Sequence, residues 1–155
     1  MKTKVLLAVV ALSYSPLVVA RDEAAYPKEN VAAFVVEKLD LSSLPSEFRP
    51  KIEKGKKTLE DYGFTAQRID ENEAIIEAAG GMRRLAIKVL DQKSSGIYVC
   101  VAEPGQNSGP AKAQSVILLK RNDPSALLKG RESFREFAAC PVIGGSDATT
   151  NSYGD

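Results

Sequence analysis

Two cysteines, the only ones in the chain, constrain its fold most tightly. Cys100 sits in the middle of the apolar run Ile97–Glu103, and Cys140 is followed directly by Pro141. In an oxidising compartment an isolated pair of this kind forms a disulfide. Closing so long a loop restricts the unfolded chain by about 4 kcal/mol in the chain-entropy picture. If Ile97–Glu103 is a strand, Cys100 shares its face with Tyr98 and Ala102, because side chains alternate along a strand. Whatever element ends at Cys140 must then lie on that face. Zinc is a poor alternative, because two thiolates would need further ligands and the chain has no histidine.

The compartment is indicated at the other end of the chain. Lys2 and Lys4 precede the apolar run Val5 to Leu12, and Leu17-Val18-Val19-Ala20 leads into the polar Arg21-Asp22-Glu23. This is the charged, apolar and small-residue order of an export leader, with cleavage expected between Ala20 and Arg21. The apolar run is too short for a membrane span and is interrupted from Ser13 to Pro16. The expected organisation is a signal peptide at 1–20, a disordered lead-in at 21–27, one domain at 28–143 and a disordered tail at 144–155. A secreted or periplasmic location follows, with no membrane span in the mature form. The full chain carries 21 basic and 20 acidic residues; loss of Lys2 and Lys4 leaves a net charge of −1. That balance lacks the basic excess of a nucleic-acid binder. A mature chain of about 135 residues is enough for one core.

Periodicity supplies the expected elements. Val31, Phe34, Val35 and Leu39 recur at helical spacing within Lys28–Asp40. A second helix is predicted from Pro50 to Tyr62, since proline suits a first turn and Ile52, Leu59 and Tyr62 share a face; Gly63 would stop it. Strands are predicted at Phe64–Ile69, Ala74–Ala78, Arg83–Asp91, Ile97–Glu103 and Ala113–Arg121, with short joints that favour antiparallel neighbours. Asp123-Pro124 is a helix-start signal, and Leu127, Leu128, Phe134 and Phe137 form an apolar stripe running to Cys140. The expected class is α+β: two N-terminal helices, a five-stranded mainly antiparallel sheet and one C-terminal helix tied to the sheet by the disulfide. Val99 and Val101 on one face, with Cys100 on the other, require cover on both sides of the fourth of these strands.

The chemistry is sparse. Without histidine there is no Ser-His-Asp or Cys-His site and no histidine general base. Neither a nucleophile elbow nor a phosphate-cradling glycine loop occurs. Asp70, Glu71, Glu73, Glu77, Asp91 and Glu103 are the candidates for a carboxylate-dependent hydrolase, yet most fall at turns or strand ends. No catalytic residue, metal or cofactor is expected. Ser95-Gly96-Ile97-Tyr98 resembles a loop of exported lysozyme inhibitors, and Gln114-Ser115-Val116 resembles the start of a cystatin-type loop. The first likeness extends to no second motif, in the second Leu118 replaces the glycine of a Gln-x-Val-x-Gly loop, and no family is assigned.

Two surface features remain. The connection Pro104–Lys112 is long for a hairpin, and Gln106, Asn107, Ser108 and Lys112 offer hydrogen-bonding groups for a partner. Arg49, Lys51, Lys54, Lys56 and Lys57 form the densest basic cluster, suited to an anionic surface. The expected function is non-enzymatic binding of a macromolecular partner through the surface loop. The alternative is a small-molecule or lipid carrier with the sheet curled round an apolar cavity.

Overall fold

The structure is a computed structural model that describes residues 26–104 and 111–140. Helix α1 spans Val31–Lys38 and runs directly into a two-residue strand, β1, Leu39–Asp40. A single 3-10 turn, Leu41–Ser43, follows. Six further strands are β2 Phe64–Ile69, β3 Glu73–Ala78, β4 Arg84–Lys93, β5 Gly96–Glu103, β6 Ala113–Lys120 and β7 Leu128–Glu132. They form one seven-stranded sheet in the order β1-β7-β6-β5-β4-β3-β2. From β2 to β7 each strand pairs antiparallel with the next, and β1 closes the far edge in parallel with β7.

The expected class is overturned. The sheet has seven strands and is mixed, and α1 is the one α-helix among the described residues. The second helix is replaced by turns between Lys51 and Gly63. Gly55 adopts φ 87°, a left-handed conformation that interrupts a right-handed helix. Ile52, assigned to the buried stripe, is 57% exposed. Only Leu59 of that stripe is buried.

The C-terminal helix is also absent. Asp123 does act as a cap, accepting from Ser125 N at 2.9 Å and Ser125 Oγ at 2.6 Å, but it caps an isolated turn. An aspartate makes the same side-chain-to-backbone bond in an Asx turn as at a helix start, so the signal does not separate the two. The chain then enters β7, where the otherwise open edge of β6 supplies backbone partners. Leu128 is fully buried in this strand, whereas Phe134, assigned to the helical stripe, is 97% exposed.

The five expected strands occupy nearly the expected spans. On β5, Ile97, Val99 and Val101 enter the main core, joined by Leu85 and Ile87 of β4 and Ile117 and Leu119 of β6. Val31 and Val35 of α1 pack onto this face, with Leu41, Leu44, Phe48 and Leu59 from the long connection to β2. Ser43 locks the parallel junction: its Oγ donates to the Asp40 carbonyl at 2.6 Å and accepts from Gly130 N at 2.7 Å. Gly130 leaves room for Leu44, whose Cδ2 would stand 2.8 Å from an added Cβ.

The other face of β5 carries Cys100, disulfide-bonded to Cys140 with the Cα atoms 5.6 Å apart. The segment ending at Cys140 therefore covers the expected face, but as extended chain and turn. Phe137 packs against Tyr98 with ring centroids 5.6 Å apart, and Val116 completes this smaller cluster. Such a bond is consistent with an extracellular location. No helix among the described residues is long and apolar enough to cross a membrane.

Replacing both cysteines with serine is expected to lower stability by up to about 4 kcal/mol, the loop-closure contribution, read from urea denaturation. An unchanged midpoint would refute a stabilising closure. Gly96→Ala tests the β4–β5 turn: φ is 148° and an added Cβ would meet Leu119 O at 2.6 Å. A loss of about 1–3 kcal/mol is expected, the scale of overpacking against a fixed backbone; a wild-type melting temperature would contradict that contact.

Candidate functional site

The start of β4, the end of β5 and the chain around residue 48 meet at one arginine. Arg83 Nε lies 3.2 Å from Glu103 Oε2. Its Nη1 donates to the Arg49 carbonyl at 2.9 Å, and its Nη2 donates to the Glu47 carbonyl. The planar guanidinium offers several donors in a fixed fork, so one side chain can fasten a carboxylate and two carbonyls. Both charged side chains are largely withdrawn from water, which strengthens this contact beyond an ordinary surface pair. Lys112 adds a second cation to Glu103 at 3.8 Å, and Lys112 N donates to the Glu103 carbonyl at 2.8 Å. That backbone bond pins the two ends of the β5–β6 connection together.

Two expected surface features thus meet at Arg83: Lys112 at the root of the long connection and Arg49 from the basic cluster. Gln106, Asn107 and Ser108 lie outside the described residues, as do the leader with Ala20 and Arg21 and the tail at 144–155.

The basic cluster is not one helical face. Lys51 and Lys54 are exposed on the turns after Pro50. Lys56 is tied to Glu53 at 2.9 Å and sits over the Tyr62 ring. Its hydrogen bond to Glu53 holds its ammonium above the usual lysine range. Lys57 instead faces a separate recess with Lys120, Arg121 and Lys129. Asp61 organises this turn by accepting from Lys57 N and Thr58 N, each at 2.8 Å. Those bonds, the one from Thr58 foremost, hold its carboxyl below the ordinary range.

The candidate hydrolytic carboxylates are spread out and mostly charge-paired. Arg68 binds Asp70 and Glu73, Lys88 also binds Glu73, and Arg84 binds Glu77. Asp91 is held by Lys93 and Arg135. Among the described residues no cluster of three His, Cys, Asp or Glu side chains is placed to hold a metal ion. A shallow groove of about 230 Å³ crosses the sheet face covered by the disulfide, lined by Ile75, Ala86, Ala102 and Ala139. Arg83 carried no signal in the sequence, being one of two adjacent arginines at the start of an expected strand.

Comparison with protein-family models, curated proteins and solved structures finds no match to this chain.

Asp61 makes the turn pH-sensitive. A carboxyl depressed in the folded state contributes stability above its unfolded pKa of about 4 and loses it as pH falls through the folded value. Asp61→Asn is therefore expected to lower the melting temperature at pH 7, with the gap to wild type narrowing below about pH 4. A gap that is constant across pH would show that the charge is immaterial.

Proposed function

We propose that this chain is an exported, non-enzymatic domain that binds a macromolecular partner at the end of the sheet where β5 passes to β6. The leader-type sequence at 1–20 and the Cys100–Cys140 bond support the export part of this reading, to the periplasm or the exterior. The binding part is carried by one observation: Arg83 fastens the base of the β5–β6 connection to the backbone of Glu47 and Arg49. A rigid base lowers the ordering cost of recognition by the groups mounted on it. The contact groups in this reading are Arg49, Lys51 and Lys112, with Gln106, Asn107 and Ser108 between the strands.

A carrier would need space against the core face of the sheet. Phe48, Leu44, Leu59 and the α1 valines fill that face, which favours surface binding over enclosure.

The test uses purified mature protein as bait against extracytoplasmic extract, with chemical cross-linking. A specific partner is expected with wild type. Recovery should fall with Gln106→Ala/Asn107→Ala/Ser108→Ala, and separately with Arg49→Ala/Lys51→Ala. Equal recovery by all three proteins would overturn the proposed surface.

A further inference from the structure

At the opposite end of β6 the chain builds a second, more sharply charged feature. A recess of about 270 Å³ is lined by Lys57, Lys120, Arg121 and Lys129, together with Asp40 and Asp123. Four cations face two carboxylates, an excess of two positive charges. Lys120 and Lys129 are direct partners in the β6–β7 ladder, and cross-strand partners project from the same face. Like charges placed directly opposite are normally unfavourable. Among the described residues neither lysine makes an ion pair, and nor does Lys57.

The two carboxylates are engaged in their own turns and make no ion pair with these lysines. Asp40 Oδ1 accepts from Ser42 N at 3.2 Å and Ser42 Oγ at 2.5 Å. Asp123 Oδ1 accepts in the same way from Ser125, two residues on. Each acid holds its own turn, and neither reaches a lysine within ion-pair distance.

The backbone beneath the cations is held firmly. Lys129 lies in a ladder on both sides, against Asp40 and Lys120. Lys57 N donates to Asp61 and its carbonyl accepts from Leu41 N at 2.7 Å. The Arg121 guanidinium lies over the rings of Phe34 and Tyr26, at 4.9 and 5.4 Å, and donates to the Pro124 carbonyl at 2.6 Å. Arg121 N also donates to the Tyr26 hydroxyl at 3.4 Å. Ammonium groups gathered round a concave surface, on backbone held in this way, are suited to a multivalent oxyanion.

We propose that this recess binds a phosphate-type oxyanion through Lys57, Lys120 and Lys129, with Arg121 as a fixed charge at its wall. The bound anion would bridge Lys120 and Lys129 and remove their repulsion. The site is separate from the proposed partner surface, since Lys112 and Lys120 lie roughly 25 Å apart along the strand.

The experiment titrates mature protein with inorganic phosphate and pyrophosphate, following backbone amide shifts. Saturable changes are expected around Lys120, Lys129 and Ser125. Lys120→Gln and Lys129→Gln should each weaken binding about tenfold, the scale of one charge-assisted hydrogen bond, while Lys129→Arg retains it. Lys88→Gln, on a lysine paired with Glu73 away from the recess, is the control for general charge loss. Lys120 and Lys129 are both exposed, so the variants should keep the wild-type spectrum elsewhere. Co-sedimentation with phosphatidylglycerol vesicles, lost in the Lys120→Gln/Lys129→Gln protein, would assign the phosphate to a lipid headgroup. Pyrophosphate binding without co-sedimentation would assign it to a soluble ligand. Absence of saturable shifts, or equal weakening in Lys88→Gln, would overturn the site.

Discussion

β5 is buried on both faces, and the rest of the molecule is arranged to make that possible. Ile97, Val99 and Val101 need apolar cover on one side, and Cys100 needs it on the other. Helix α1 and the long connection ahead of β2 provide the first cover. The chain after β7, held by the Cys100–Cys140 bond, provides the second. A strand buried in this way must be central, with further strands paired on each side. The sheet order places it there, between β4 and β6.

This constraint explains why a two-residue strand matters. β7 pairs with β6 over four register positions, and its outer edge would otherwise be open at Leu128 and Lys129. β1 covers those two residues, and the Ser43 hydroxyl takes Gly130 N. Exposed edges are templates for unwanted pairing. The remaining edge, β2, carries Arg68 with its acidic partners Asp70 and Glu73, a charged border of the kind that discourages such pairing. The two candidate binding surfaces are anchored at opposite ends of β6, at Lys112 and at Lys120.

The sheet's antiparallel run was legible because alternation in Leu85-Ala86-Ile87-Lys88-Val89 and the dense apolar run of β5 are local signals. The two missing helices show where local signals stop. Asp123-Pro124 satisfies a cap whether helix or isolated turn follows, and the pull of the β6 edge lies outside that segment. Gly55 costs a helix only about 1 kcal/mol relative to alanine, while the observed conformation uses its access to positive φ. The basic cluster was visible as composition, but its division between Arg83 and the Lys120–Lys129 recess was not. Arg83 is 34 residues from Arg49, the backbone group it holds.

The sequence alone determined the pairing of its only two cysteines, the face on which the segment ending at Cys140 must lie, the spans of five strands and the lack of histidine chemistry. These follow from residue identity and from a period of two, which a strand carries within itself. Tertiary structure alone decided the conformation reaching Cys140, the fate of residues 50–62 and which cations share a recess. Those outcomes depend on backbone partners and like-charge neighbours contributed by segments distant in sequence.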